Sequence, residues 1–131
     1  MEMNLSNESL SSDNQSSAVQ VETLAVTSCS WDGAELPDYP SGRPQISVLR
    51  YTILPHKRLA SHRHLIINCG MMLQGELTVV AKDGREHTFR TGDPLVEMYG
   101  TPHYGENRGD VPAILVVFYI GSPGMPLKTE I

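Results

Sequence analysis

The chain contains 131 residues, of which 40% are hydrophobic and 19% are charged, and its formal net charge is −5. This length suffices for one domain with a hydrophobic core but not for two. The acidic balance argues against a nucleic-acid-binding protein, which would need basic residues to contact phosphates. No apolar run reaches the roughly 18 residues that a transmembrane helix needs, so we expect no membrane partner. The N-terminus lacks the basic and apolar regions of a secretory signal, so we expect a cytoplasmic protein.

Residues 1–17 are rich in Ser and Asn and contain few apolar side chains. Such a segment buries too little surface to offset the entropy lost on ordering, so we interpret it as a flexible tail that precedes a single domain of residues 18–131. Val19, Val21 and Leu24 indicate the start of a first strand. Residues 28–45 contain several Gly and Pro residues and read as a loop, which Trp31 is expected to anchor to the domain.

The rest of the chain reads as short strands separated by turns. We predict strands over residues 46–54, 65–73, 77–81, 86–90, 95–99 and 113–120. Asp83-Gly84 favours a tight hairpin turn, because Gly tolerates the positive φ angle that the turn requires. No window has a helical period, and the prolines would interrupt any long helix. Many short strands at regular spacing predict an all-β sandwich or barrel.

The last predicted strand, residues 113–120, does not alternate between polar and apolar side chains. One of its faces can fill the interior of the domain. The other face must then be covered by a second sheet, a loop or another subunit. We therefore expect a homodimer as one way of covering it.

A pair of histidines two residues apart precedes the second predicted strand. On an extended strand, side chains at even offsets share one face, so His62, His64 and Asn68 are expected to point into one cavity. His103 follows about forty residues later, in a second loop-and-strand unit. Imidazoles that converge on one point suit a divalent transition metal, so a metal site is the first hypothesis.

Two spaced motifs of the chain resemble those of the cupin family. The first family motif is G-x5-H-x-H-x3-E-x6-G, and the chain keeps every spacing at positions 56, 62, 64, 68 and 75, with His56 in place of the glycine and Asn68 in place of the glutamate. The second is G-x5-P-x-G-x2-H-x3-N, and the chain reads Gly92, Met98, Gly100, His103 and Asn107, with the methionine in place of the proline. The resemblance covers roughly residues 45–120 and implies a cupin-type barrel, a double-stranded β-helix or jelly roll.

In metal-binding members of that family, the two histidines and the glutamate of the first motif and the histidine of the second ligate the metal. The resemblance therefore implies His62, His64 and His103 as ligands and places Asn68 in the fourth position. Asn68 is either a weak ligand through its amide oxygen or a residue that hydrogen-bonds a loop or a water. Loss of the glutamate makes the site more positive, which favours anionic substrates. We expect a divalent transition metal, which could be Fe, Mn, Ni or Zn because a histidine triad accepts several.

A few further side chains are candidates for the pocket. Met72 lies four residues after Asn68, on the same face of a strand, and is expected to face the cavity. Tyr99 and Tyr104 flank the second motif near the cavity mouth, where they would either contact a substrate or pack at the rim. Glu97 could turn inward as a general base or a substitute acidic group, but we expect it at the surface. The remaining walls are predicted to be apolar and to suit a small ligand.

Three classes of function remain open from the sequence. Three histidines that leave open positions resemble the iron sites of thiol and β-diketone dioxygenases, so a dioxygenase of a small organic substrate is the first hypothesis. A non-catalytic module that binds a metal or a small ligand is the second. A metal-dependent isomerase or hydrolase is the third.

Overall fold

The computed structural model describes residues 18–131 and confirms an all-β fold built from two antiparallel sheets. Within that range the strands are β1 (Gln45–Ile53), β2 (His62–Arg63), β3 (Ile67–Gln74), β4 (Glu76–Ala81), β5 (Glu86–Arg90), β6 (Pro94–Val96), β7 (His103–Glu106), β8 (Ala113–Gly121) and β9 (Thr129–Glu130). One sheet has the order β1-β8-β3-β6 and the other β5-β4-β7-β2-β9. This part of the chain contains no helix, and hence none able to cross a membrane. The predicted flexible tail, residues 1–17, lies outside the described residues.

The hydrophobic core lies between the two sheets. Strand β8 supplies it with every second side chain, as the period of a strand requires, and the intervening side chains point outward. The core also takes buried side chains from five other strands and from the loops between β2 and β3 and between β6 and β7; its members are Ile53, Ile66, Met72, Leu77, Val79, Ala81, Phe89, Leu95, Met98, Ala113, Leu115, Val117 and Tyr119. The histidines are therefore presented into an interior with apolar walls.

The outer face of the first sheet remains partly apolar. Val48 on β1, Phe118 on β8 and Cys69 on β3 lie side by side in register. Val48 is 57% exposed and Phe118 is 39% exposed. The second apolar face of β8 is thus only partly covered by residues 18–131, and the homodimer stays a prediction.

Two turns show how the local sequence sets the backbone conformation. Gly84 has a φ of 95° in the turn between β4 and β5, as the Asp-Gly pair predicts. His56, which replaces the first motif glycine, keeps a left-handed φ of 64°, a conformation that non-glycine residues rarely adopt. The strand expected from Val19 onward is wrong, because Val19 and Val21 are exposed and have no strand partner among the described residues.

Trp31 anchors the loop of residues 28–45 to the second half of the chain, as predicted. Its backbone N–H donates to the carbonyl of Val96 at 2.9 Å. Its ring meets that of Phe89 edge-on, with the centroids 6.4 Å apart. The loop is therefore held against β5 and β6, the side of the barrel from which residue 97 enters the interior.

Candidate metal centre

Three histidines meet inside the barrel at the ends of two paired strands. His62 on β2 lies opposite His103 on β7 in the antiparallel ladder, so both side chains point to the same face. His64 follows β2 directly, two residues after His62, and points the same way. All three are buried. One candidate ligand atom from each lies within 4.8 Å of the others, which is the cluster that the two motifs predict.

Backbone carbonyls fix the orientation of each imidazole. The Nδ1 atoms of His62, His64 and His103 each lie 2.8 Å from a carbonyl oxygen, those of Ala60, Leu127 and Thr101 respectively. A carbonyl can only accept, so each Nδ1 carries a hydrogen, and in a neutral ring Nε2 then holds the free electron pair. This arrangement is the usual outer support of a histidine that ligates a metal.

One of the three Nε2 atoms, that of His103, is buried and makes no hydrogen bond in residues 18–131, although it lies in an ion contact with a carboxylate. The carboxylate oxygen is Glu97 Oε2, which lies 3.4 Å away without hydrogen-bond geometry. A buried nitrogen without a partner is costly unless another group satisfies it. Imidazole nitrogens are preferred ligands of divalent transition metals, so the residues present fit such an ion.

The histidines line a small cavity between the sheets, with a volume of about 40 Å³. Its walls are mostly aliphatic and aromatic, and its full lining is Tyr51, Ile53, Leu59, His62, His64, Asn68, Leu77, Val79, Leu95, Glu97, His103, Gly105, Leu115, Val117, Tyr119 and Lys128. Glu97 is the acidic member of this lining, and Lys128 carries the opposite charge.

Burial and the nearby carboxylate set the protonation of the cluster. Burial lowers the pKa of His62 and lowers the pKa of His64 to about 4, so both rings are neutral at pH 7. Burial would also lower the pKa of His103, but the adjacent Glu97 outweighs it and raises the pKa of that ring. Burial would raise the pKa of Glu97, but His103 and the backbone N–H of Met98 outweigh it and lower the pKa of the carboxyl.

Asn68 lines the same cavity as the histidines, as predicted, but not by the predicted route. A bend at residues 65–66 interrupts the expected strand, so Asn68 lies on β3 of one sheet while His62 lies on β2 of the other. The side chain of Asn68 is 3% exposed, and its Nδ2 is buried without a hydrogen-bond partner in the described part of the chain. A buried amide N–H₂ can donate to an oxygen of a bound molecule. Ligation of a metal by Asn68 stays a prediction.

The expectation that Glu97 lies at the surface is wrong. The side chain is 8% exposed and turns into the barrel. Its Oε1 accepts hydrogen bonds from Trp31 Nε1 at 3.1 Å and from the backbone N–H of Met98 at 2.9 Å. The sequence does carry a signal, because residue 97 shares strand parity with Leu95, a buried core residue. The partner that holds the carboxylate is 66 residues away in the chain, which local patterns do not show.

The three side chains predicted to line the pocket lie elsewhere. Met72 is 1% exposed but belongs to the core and not to the cavity lining. Tyr99 is 39% exposed, and Tyr104 packs under the guanidinium of Arg58, which lies 4.6 Å from the ring centroid. Both rings therefore lie outside the cavity lining, as rim packing would require.

Two other tyrosines line the cavity, which sequence reasoning missed. The hydroxyl groups of Tyr51 on β1 and Tyr119 on β8 are 2.6 Å apart. The ring of Tyr119 lies 5.9 Å from that of His64, measured between centroids. Burial, followed by the hydrogen bond with Tyr51, raises the pKa of Tyr119, so this hydroxyl stays protonated at neutral pH. Their parity within apolar strands is the only signal that the sequence offers.

Comparisons with known proteins place the fold in a family. The family model described as "Cupin domain" matches residues 49–119. No curated protein matches the chain. A sugar phosphate isomerase of the cupin superfamily from Silicibacter pomeroyi is 28% identical over 60% of this chain and 52% of its own, with a TM-score of 0.53. An oxalate oxidase in complex with the substrate analogue glycolate is 25% identical over 63% of this chain and 45% of its own, with a TM-score of 0.53.

A Cupin 2 conserved barrel domain protein from Salinispora arenicola shares the fold at 19% identity, over 56% of this chain and 61% of its own, with a TM-score of 0.51. The chain spans only about half the length of the isomerase and the oxidase, at 52% and 45%. The matched region contains both motifs from His62 to Asn107 and eight of the nine described strands in whole or in part. The chain belongs to the cupin domain family.

Proposed function

We propose that the protein is a metal-dependent dioxygenase that acts on a small organic substrate through a centre held by His62, His64 and His103. The observation that carries the proposal is the convergence of three imidazoles whose Nδ1 atoms are each tied to a carbonyl, which leaves their Nε2 atoms free for an ion. A bound iron, manganese, nickel or zinc ion would supply Lewis acidity and, where it is redox-active, electrons for dioxygen.

The cavity limits the size of the substrate. A volume of about 40 Å³ holds roughly three water-sized groups, since one needs about 10–15 Å³. Pockets for drug-sized ligands are on the order of 300–1,000 Å³. The part of the substrate that enters the barrel therefore has only a few non-hydrogen atoms.

The polar groups of the cavity favour a substrate with an anionic oxygen. Lys128 lines the cavity and contributes a positive charge. Asn68 lines it with a buried Nδ2 donor that has no hydrogen-bond partner among residues 18–131, and Tyr119 brings a protonated hydroxyl. A small carboxylate would satisfy these donors while the aliphatic walls exclude bulk water. The similarity to an oxalate oxidase that binds the substrate analogue glycolate supports the same class of substrate.

Metal content and oxygen uptake together test the proposal. Elemental analysis of protein purified without added metal identifies the ion, and His62→Ala should lose it, whereas His87→Ala, an exposed histidine on β5, should keep it. Oxygen uptake is then measured after anaerobic loading with ferrous iron, using small hydroxy acids, oxo acids, thiols and diketones. A loaded protein that consumes no oxygen with any of these substrates would refute the dioxygenase assignment.

A metal-dependent isomerase is the second candidate, favoured by the similarity to a sugar phosphate isomerase at 28% identity. It requires turnover that is unaffected by removal of oxygen, preferably with zinc, nickel or manganese. A cupin module without catalysis gives a third outcome, in which a ligand raises the thermal stability of the loaded protein while no substrate is converted.

A further inference from the structure

We propose that Glu97 is the fourth protein ligand of the metal and supplies, from the end of β6, the carboxylate that position 68 on β3 lacks. The inference rests on the metal centre proposed above. It assigns to that centre a residue that neither cupin motif specifies.

A divalent metal ion bound at this site would need an acidic ligand to balance its charge. His62, His64 and Asn68 offer neutral ligand atoms, so a divalent ion held by them and His103 would be buried without an opposite charge. Burial of an uncompensated charge is strongly unfavourable. Glu97 is the acidic residue of the cavity lining.

The position of Glu97 matches that need. Strands β3 and β6 pair antiparallel with Cys69 opposite Val96, so the next pair along the ladder is Asn68 and Glu97. The backbone N–H of Glu97 donates to the carbonyl of Asn68 at 3.1 Å, which extends the ladder to this pair. Directly opposite residues share one face with their Cβ atoms about 4.5–5.5 Å apart. The carboxylate that the family motif places at position 68 on β3 is thus replaced by that of Glu97, at the end of the neighbouring strand β6.

The two oxygens of the carboxylate have different surroundings. Oε1 accepts the indole N–H of Trp31 and the backbone N–H of Met98. Oε2 points toward His103 Nε2 at 3.4 Å. Because Oε1 is held, the side chain is pre-oriented with one oxygen directed at the cluster, and Trp31 is its positioning residue.

The distance between these two atoms suits a shared ion. Zinc–nitrogen and zinc–oxygen bonds of about 2.1 Å in tetrahedral geometry separate two ligand atoms by about 3.4 Å. His103 Nε2 and Glu97 Oε2 are 3.4 Å apart, without hydrogen-bond geometry, and the nitrogen is buried without a partner in residues 18–131. A metal ion adjacent to both atoms would satisfy the nitrogen.

Metal affinity measured by competition with a chelator tests the assignment, with Zn²⁺ and Co²⁺ as probes. Glu97→Gln keeps an oxygen for Trp31 and Met98 but removes the charge, and it should weaken Zn²⁺ binding at least about 100-fold. Glu76→Gln, an exposed residue on β4, removes the same charge and should leave the affinity unchanged. The double variant Asn68→Glu/Glu97→Gln returns a carboxylate to the other strand and should recover most of the affinity.

Two readouts separate direct ligation from a distant effect of charge. The visible spectrum of the Co²⁺ protein reports the ligand set, and it should change in Glu97→Gln. A crystal structure of the Zn²⁺-loaded wild type should place Oε2 about 2.0–2.2 Å from the ion, which also tests the inference if the variants fail to fold. Unchanged affinity, an unchanged spectrum or an Oε2 beyond bonding distance overturns the assignment of Glu97. If wild type binds neither ion, the metal centre itself fails; if His62→Ala abolishes binding and Glu97→Gln does not, only the present inference fails.

Discussion

Replacement of Asn107 by Ala should destabilise the protein more than any loss of surface contacts could. The side chain is fully buried, and its Nδ2 donates to the carbonyls of Ile53 at 2.9 Å and Val111 at 2.8 Å. Its Oδ1 accepts the backbone N–H of Gly109 at 2.9 Å. The side chain therefore joins the end of β1 to the loop that follows β7.

The size of the effect follows from what Asn107→Ala leaves unpaired. The Ile53 bond is buried, and a buried group that loses its partner costs about 1–3 kcal/mol. Val111 and Gly109 are more accessible, so water replaces part of those two bonds. We expect a loss of about 3 kcal/mol, a large share of the roughly 5–15 kcal/mol that stabilises a typical domain.

Urea and thermal denaturation in the presence of a chelator measure this loss without a contribution from metal. A loss of about 3 kcal/mol corresponds to a decrease in Tm of roughly 10 °C for a domain of this size. Asn107→Asp keeps the shape and Oδ1 but replaces the donor by an acceptor, so it should be at least as destabilising. Arg108→Ala removes two exposed ion pairs next to it, with Glu86 and Glu106, and should lower Tm much less than Asn107→Ala does. A loss below about 1 kcal/mol in Asn107→Ala would refute the claim that these bonds join the two segments.

Three further outcomes are expected. Zn²⁺ at a free concentration of 100 times its Kd should raise the free energy of unfolding by about 2.7 kcal/mol, and the gain, read from thermal melts, should vanish with EDTA or in His103→Ala. In the metal-free protein, burial lowers the pKa of His64 from its ordinary value of 6.5 to about 4. As the pH falls, the unfolded chain therefore binds this proton before the folded protein does. The free energy of unfolding should decrease between about pH 6.5 and pH 4, by up to about 3 kcal/mol. Urea midpoints measured across this pH range test the predicted loss of stability. The charges of Glu97, His62 and His103 also influence the pKa of His64, so a variant is needed to assign the effect. A His64→Asn variant whose stability declines as steeply with pH would contradict the assignment to His64. Gly70→Ala should prevent stable folding, because its Cβ would lie 2.0 Å from the carbonyl oxygen of Val116, and a Tm equal to that of wild type would show that β3 and β8 can separate locally.

Much of the fold can be predicted from the sequence because local chemistry and the final structure agree. Asp83-Gly84 marks the turn between β4 and β5, and the long strands β1, β3 and β8 lie within a residue or two of their predicted bounds. The two-residue strands β2 and β9 could not be predicted, since so short a segment has no periodicity and is defined only by its partner. The segment predicted as a strand over residues 95–99 is shorter in the structure, where β6 ends at Val96.

The site was predictable only in part, for a related reason. Side-chain alternation predicts His62, His64 and Asn68 in one cavity, and the second motif adds His103. The four residues do share a cavity, but Asn68 reaches it from the sheet opposite that of His62 and His103. Glu97 enters the site through pairing between β3 and β6, and a tryptophan from the N-terminal loop orients it. Such contacts depend on the whole fold and leave no local pattern.

Two buried polar atoms in the cavity lower the stability of the protein, which suggests that they are kept for binding. Asn68 Nδ2 and His103 Nε2 have no hydrogen-bond partner among residues 18–131, and each such atom costs about 1–3 kcal/mol. Aliphatic side chains of similar size would avoid that cost, since most of the surrounding wall is already aliphatic. A sequence that retains both atoms in the core gives up stability at this point, and a bound group that satisfies them would recover it. One of the two atoms is a metal ligand by type and the other a donor for an oxygen, so the proposed metal ion together with a small oxygen-bearing substrate would satisfy both.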